Sequence, residues 1–223
     1  MTIRITQSTL KKIVCESVKR ALMYESSTMA TDIDKIYMDA VNRGDMDTAQ
    51  RMVVKAAKAA MPNTKVVDEN GNPKIMYHGT PKKFNTFDRE KIKRGYGFWF
   101  TQDDFEADNY SYAEEDGDEP RNIAVFLNST NPATLEDVNG KLLDDFIKKI
   151  GAKVSPEVFI HDRHATDFLR ACGYDGLIFG NKAIVYSPNQ IKSADPVTYD
   201  DNGNVIPISR RFMLQMNDIR YEE

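Results

Sequence analysis

The sequence predicts an α+β protein, with helices gathered before Pro62 and short strands after it. Before Pro62, apolar residues recur three or four positions apart, as on one face of an amphipathic helix. After Pro62, short β-rich runs are separated by isolated helical segments in no regular alternation. This irregular order favours α+β over a doubly wound α/β fold.

Length and composition indicate a folded domain with an appendage. The 223 residues allow one full-sized core plus a smaller unit, and 41% hydrophobic with 29% charged residues excludes a mainly disordered or collagenous chain. The net charge of −4 is too small to indicate general nucleic-acid binding. We expect a cytoplasmic protein without a membrane span, because neither a run of about 18 apolar residues nor a signal-peptide core occurs. Cys15 and Cys172 lie far apart outside any CxxC motif, so no disulfide framework or zinc site is predicted.

The first predicted element is a basic amphipathic helix within residues 1–24. This segment carries five basic side chains and one acid, Glu16, and its apolar residues fall at helical spacing. Such a helix could dock on a partner protein, nucleic acid or lipid headgroups, or it could be an ordinary solvated helix packed on the main domain. Residues 25–31 are polar and predict a linker.

A helical hairpin is predicted over residues 32–62. Apolar stripes predict helices on both sides of Gly44, which suits a left-handed helix end, and Asp45 suits the N-cap of the second helix. The stripes are too small to form a core alone, so we expect the hairpin to pack on the main domain, residues 63–223.

Strands and single helices are predicted through the main domain. A β-hairpin is predicted from Lys65 to Tyr77, around a turn rich in Asn and Gly. Further predicted strands are Gly97 to Thr101, Ile123 to Asn128, Gly176 to Phe179 and Ala183 to Tyr186. Predicted helices are Gln102 to Tyr112, Lys141 to Ile150 and Asp162 to Cys172.

The segment Tyr77-His78-Gly79-Thr80 is the first candidate binding motif. A glycine at a strand end lets a ligand approach the backbone, and the His78 and Thr80 side chains can hydrogen-bond hydroxyls or an amide. A lone histidine at a strand end is more often structural, so the motif alone is a weak signal.

The second candidate binding motif is the segment Gly97-Phe98-Trp99-Phe100-Thr101, which is followed by a predicted helix and Tyr110. Aromatic rings on a strand and on the next helix can enclose a planar cationic ring through stacking and cation–π attraction. The alternative is that these rings are ordinary core, since one face of the strand must be buried in either case.

Taken together, the segments resemble the ADP-ribosyltransferase superfamily, on the branch of diphtheria toxin and the poly(ADP-ribose) polymerases. YHGT, GFWFT with Tyr110, GYDGLI and NKAIVYSPNQIKS occur in the family's order over about residues 66–212. The chain is most similar to ADP-ribosyltransferase-like domains in polyvalent proteins of bacteriophages and mobile elements. The resemblance implies a split β-sandwich with NAD, a substrate, in the cleft, and no metal.

The resemblance also implies roles for individual residues. His78 would hydrogen-bond a ribose hydroxyl, and the Gly79 main chain would hold the nicotinamide carboxamide. Tyr110 would stack on the nicotinamide ring, with Trp99 where the family usually has tyrosine. The family serine that binds the carboxamide falls at Ala107, which removes a hydrogen bond worth about 1 kcal/mol.

Lys182 is the main departure from the family pattern. The resemblance implies a catalytic glutamate at this position, and a lysine has the wrong charge to stabilise a cationic transition state. Asp175 or an acid of the loop 114–119 could act instead. Alternatively, Lys182 points outward while Asn181 or Gln190 supplies polar contacts, or the domain is a degenerate enzyme kept for recognition.

Three further groups are weaker candidates. His161 and His164 have a spacing that could hold a metal on one helical face, but no third ligand is evident, so surface residues are the better interpretation. The stretch from Asp103 to Glu119 has nine acids and no Lys or Arg, and residues 114–119 predict an exposed loop. Basic side chains between the first two motifs could meet the NAD pyrophosphate or lie in solvent. They are Lys82, Lys83, Arg89, Lys91, Lys93 and Arg94.

The resemblance implies an NAD-dependent mono-ADP-ribosyltransferase of phage or mobile-element origin. It would act in the host cytoplasm or virion on an unknown protein or nucleic-acid acceptor. His78, Trp99, Asp175 and position 182 are the candidate catalytic residues. The alternative is a degenerate NAD-binding or virion-associated structural module, for which Lys182 is the main argument.

Overall fold

The computed structural model describes residues 32–92, 97–113 and 118–220. The basic helix predicted within residues 1–24 and the linker 25–31 lie outside the described residues. Among the residues that the structure describes, no helix is both long enough and apolar enough to cross a membrane.

Residues 32–62 form a helical hairpin that packs on the rest of the chain. Helix α1 covers residues 32–42 and α2 covers Met46–Ala60, with Gly44 between them at a φ of 72°. The Asp45 carboxylate caps α2 by accepting from the backbone N–H of Thr48. The Tyr37 hydroxyl donates to the carbonyl of Pro196 at 2.9 Å. The hairpin side chains buried against the main domain are Tyr37, Ala49, Val53 and Ala57, together with Met61 just after α2.

Seven strands form one sheet in the described part of the chain. They are β1 (Met76–Thr80), β2 (Phe98–Thr101), β3 (Arg121–Leu127), β4 (Pro132–Thr134), β5 (Gly176–Phe179), β6 (Lys182–Val185) and β7 (Ile191–Ser193). Their order is β4-β5-β6-β2-β1-β3-β7, and each pair is antiparallel except β4–β5. This mixture of helices and a mostly antiparallel sheet confirms the predicted α+β class.

Short helices connect the strands. They are α3 (Asp104–Asp108), α4 (Leu135–Asp137), α5 (Leu143–Ile150), α6 (Pro156–Ile160) and α7 (Arg163–Ala171). A π-helical segment, Val138–Leu142, links α4 to α5, and 3-10 turns cover Arg89–Lys91, Pro188–Gln190 and Ile208–Arg210. Helices α5 to α7 pack their phenylalanines on Leu177 and Ile184 of the sheet. They thereby fix the position of β5 and β6, next to β2.

The β-hairpin predicted from Lys65 to Tyr77 is confirmed only in part: the chain reverses at the predicted turn with an antiparallel bridge, but its two arms do not pair as regular strands. The segment makes a single bridge, Val67 to Pro73, among the described residues, and its chain turns around the Asp68 carboxylate, which accepts from the backbone N–H groups of Asn70 and Asn72. Proline has no N–H with which to extend a ladder. The following strand, β1, therefore pairs with β2 and β3 instead.

Candidate active site

A cleft of about 310 Å³ opens where β1 and β2 separate. It is lined by residues 77–79 of β1, residues 99–101 of β2, Glu106, Ala107, Tyr110, His161 and Lys182. Among the described residues, β1 and β2 share one register pair, Tyr77 opposite Thr101. Beyond that pair the strands leave a gap that faces α3.

Gly79 is required because α3 lies directly on it. A Cβ atom at this position would stand 1.8 Å from the carbonyl oxygen of Ala107 and 3.2 Å from the Cβ of Tyr110. No side chain can occupy that space. The glycine thus brings the end of α3, and with it Tyr110, against the backbone of β1.

His78 is a fixed, neutral side chain at the base of the cleft. Its ring packs on Phe87 and Phe100, with centroids 5.1 and 5.5 Å away, and burial lowers the pKa of the imidazole. Its Nδ1 lies 2.9 Å from the carbonyl oxygen of Trp99, and since a carbonyl can only accept, Nδ1 carries the proton. The other ring nitrogen, Nε2, is therefore a hydrogen-bond acceptor.

Two aromatic side chains, Trp99 and Tyr110, line the cleft. The Trp99 indole stacks on the His161 imidazole at 5.0 Å and an interplanar angle of 10°. Tyr110, which is 65% exposed, lines the cleft where α3 ends. From the sequence, His161 is a candidate metal ligand or, preferably, a surface residue, and the structure shows it exposed at the cleft and stacked on Trp99.

Glu106 and Lys182 meet inside the cleft. The Lys182 ammonium lies 2.5 Å from Oε1 of Glu106, while Oε2 accepts from the Thr101 hydroxyl at 2.7 Å and the Asn181 amide at 2.9 Å. Hydrogen bonds from these donors lower the pKa of Glu106 to about 2, and the bond from Lys182 has the largest effect. The same carboxylate raises the pKa of Lys182. Both groups are therefore charged at neutral pH.

The comparison with known protein families agrees with this geometry. A family model described as ADP-ribosyltransferase in polyvalent proteins matches residues 68–200, more than half of the chain. The chain belongs to this family. No curated protein and no solved structure matches it. The family prediction made from the four motifs is thus confirmed.

Four of the residues singled out by the ADP-ribosyltransferase resemblance, His78, Gly79, Trp99 and Tyr110, share the cleft, and Ala107 and Lys182 line it too. Their roles toward NAD remain predictions. Thr80 is not among the lining residues, since its side chain is buried and its hydroxyl accepts from the backbone N–H of Lys82 at 3.1 Å.

Asp175 also lies apart from the residues that line the cleft. Its carboxylate accepts from the Ser129 hydroxyl, from the backbone N–H and hydroxyl of Thr130, and from the backbone N–H of Asn131. All described partners of the carboxylate therefore belong to the loop that leads into β4. These contacts stabilise the loop before β4, and the catalytic role of Asp175 stays a prediction that this position does not support.

We expect Asp175→Ala to lower the free energy of unfolding by about 2–3 kcal/mol, because two hydroxyls and two backbone N–H groups lose a charged partner. Activity per folded molecule should stay at the wild-type value. Urea unfolding and an assay of the folded fraction check this. An Asp175→Ala variant of wild-type stability, or one that is folded but inactive, would contradict the assignment.

Ion pairs join the segment that follows β1 to the acidic residues that precede β3. Lys82 lies 2.6 Å from Asp118, whose side chain is only 2% exposed, and Lys83 lies 3.3 Å from Glu119. The exposed loop predicted for residues 114–119 is therefore wrong for the Asp118 side chain, whereas the Glu119 side chain is exposed. Residues 114–117, Lys93 and Arg94 lie outside the described residues. Within the described ranges, no group of three or more His, Cys, Asp or Glu side chains is placed to hold a metal ion.

Proposed function

We propose that the cleft binds NAD and that the protein transfers ADP-ribose from NAD to a macromolecular acceptor. The observation that carries the proposal is the convergence of His78, Trp99 and Tyr110 on one cleft in a chain of this family. We further propose that the chain is a mono-ADP-ribosyltransferase encoded by a phage or mobile element, acting in the host cytoplasm or the virion.

Each cleft residue has a role that its chemistry supports. The unprotonated Nε2 of His78 accepts from a ribose hydroxyl, and the Gly79 backbone, open on the side of β2, hydrogen-bonds the carboxamide. The nicotinamide ring of NAD is cationic, so the π faces of Tyr110 and Trp99 attract it as well as stack on it. Rigid positioning of this ring is most of what the reaction needs, since the leaving group already carries positive charge.

The reaction is a group transfer at the ribose carbon C1′. The bond from C1′ to the nicotinamide nitrogen breaks with its electron pair going to nicotinamide, which leaves neutral. The positive charge passes to the ribose, whose C1′ is then captured by an acceptor nucleophile that releases a proton. No oxidation or reduction takes place.

NAD binding can be read from a single fluorophore. Trp99 is the only tryptophan in the sequence, so a change in tryptophan fluorescence on adding NAD reports on the cleft wall itself. Label transfer from radioactive or biotinylated NAD to proteins and nucleic acids of a bacterial lysate measures activity.

We expect Tyr110→Ala to raise the Kd for NAD about tenfold, since stacking plus cation–π attraction is worth about 1–2 kcal/mol. Label transfer should fall at least as much. The matched control is Tyr199→Ala, which removes another exposed tyrosine, 51% accessible, that does not line the cleft. It should leave both quantities unchanged.

The outcomes separate the two functional classes. Saturable binding together with Tyr110-dependent label transfer supports the transferase. Binding without transfer supports the degenerate NAD-binding module. A wild-type protein that shows neither would overturn both and leave a structural module.

A further inference from the structure

Within the described part of the chain, the cleft is lined by one carboxylate, that of Glu106. Glu106 lies on α3, about one turn past the end of β2. Lys182 is the first residue of β6, the strand that pairs with β2. The sequence directed attention to Asp175 and to loop 114–119 for a carboxylate. The structure brings Glu106 to the side chain of the very residue that departs from the family pattern.

We propose that Glu106 supplies the carboxylate that faces the reacting ribose of NAD, and that Lys182, Thr101 and Asn181 are its positioning residues. This inference rests on the proposed function. It assigns the negative charge of the site to α3 rather than to the start of β6.

The hydrogen-bond inventory of Glu106 leaves room for a substrate hydroxyl. An ionised carboxylate has about four acceptor sites. Three are used, by Lys182 on one oxygen and by Thr101 and Asn181 on the other. The side chain is 25% exposed, so the remaining site is open to the cleft.

The ion pair also resolves the charge problem posed by Lys182. An isolated ammonium beside a developing ribose cation would oppose the reaction. With Oε1 of Glu106 at 2.5 Å, the lysine charge is compensated and the carboxylate is fixed in orientation. Two neutral donors, Thr101 and Asn181, hold the second oxygen without adding positive charge.

The low pKa of Glu106 limits what it can do. A carboxylate with a pKa of about 2 stays ionised at neutral pH and is a poor proton acceptor. Its role is electrostatic, through contact with a ribose hydroxyl and attraction of the cation at C1′. The proton released by the acceptor nucleophile passes to solvent.

Three variants of the full chain test the assignment. Glu106→Gln keeps the shape and removes the charge, and should lower kcat for NAD hydrolysis and transfer about 10²–10³-fold, with the Kd for NAD changed only a few-fold. Lys182→Met breaks the same ion pair but keeps the carboxylate, and should lower kcat no more than about tenfold. Glu136→Gln, on exposed α4, is the matched control and should match wild type.

The pH profile gives a readout that a merely structural ion pair would not move. Lys182 is the first cause of the low Glu106 pKa, so its removal raises that pKa. In Lys182→Met, the acid limb of kcat should shift to higher pH, and Glu106→Gln should lack that limb. If Glu106→Gln does not fold, the shift of the acid limb of kcat in Lys182→Met tests the assignment on its own.

The contrary results are distinct. A wild-type enzyme that turns over NAD while Glu106→Gln keeps its rate within threefold overturns the assignment and leaves the proposed function standing. Equal losses in Glu106→Gln and Lys182→Met, with no shift of the acid limb, reduce Glu106 to a structural residue and also overturn it. Wild-type protein without turnover overturns the transferase proposal, and this inference with it.

Discussion

Replacing Gly79 with alanine should destabilise the protein by about 3 kcal/mol, at the upper end for an overpacked site, and should abolish NAD binding. The added methyl would lie 1.8 Å from the Ala107 carbonyl oxygen and 2.8 Å from its carbon. Both are backbone atoms, so relief requires α3 to move. That helix carries Glu106 and leads to Tyr110, so any such movement disrupts the cleft.

Urea unfolding and Trp99 fluorescence titration with NAD measure the two effects. Gly71→Ala is the matched control, because Gly71 has a φ of 70° and open space where the alanine methyl would lie. It should cost only the conformational penalty of about 1–2 kcal/mol and leave NAD affinity intact. A Gly79→Ala variant as stable as wild type would show that α3 is not held against β1.

The sequence predicts those helices and strands that are long enough to show their own hydrophobic periodicity. The helical hairpin follows from its apolar stripes and from Gly44 and Asp45. Strand β5 covers the residues predicted for it, Gly176 to Phe179. In contrast, β4 and β7 were not predicted, because three residues are too few to show alternation and their strand geometry comes from pairing with β5 and β3.

The candidate site also has a part that could be predicted from the sequence and a part that could not. His78, Trp99 and Tyr110 belong to local motifs, and the resemblance of those motifs to the family implied that the three residues share a cleft. The Glu106–Lys182 pair depends on the register of β2 and β6, which sets Thr101 opposite Lys182. A sequence without that register cannot distinguish Glu106 from the other acids of the stretch 103–119. The available signal was the position of Glu106 beside Ala107, one turn after Thr101.

Asp175 shows that the position of a residue in a motif does not predict its side-chain contacts. Its place in GYDGLI made it a reasonable carboxylate for the cleft, but its side chain holds the loop before β4. Hydrogen bonds between a side chain and a distant loop leave no periodic trace in the sequence. A motif therefore fixes where a residue lies along the chain more reliably than it fixes what its side chain contacts.

The stability of the protein should rise by about 2 kcal/mol between pH 8 and pH 10, because of one buried lysine. Lys192 of β7 is 1% exposed, and its ammonium donates to the carbonyls of Met216 and Asp218, which ties the C-terminal segment to the sheet. Burial lowers its pKa from the usual 10.5 to about 8, against the attraction of Asp218. Between these values the unfolded chain holds a proton that the folded protein has released, so raising the pH favours folding.

The rise in stability with pH should end near pH 10 because of the buried tyrosines Tyr186 and Tyr37, whose pKa values are raised in the folded protein. Above that pH, tyrosines of the unfolded chain ionise first, which lowers the free energy of unfolding as the pH rises. Urea unfolding at fixed ionic strength from pH 7 to 10 gives the slope directly. Lys192→Met should flatten it, while Lys65→Met, at an exposed site, should retain it. A wild-type stability that falls over this range would mean that Lys192 is charged in the folded protein throughout, and that the carbonyls of the C-terminal segment compensate fully for its burial.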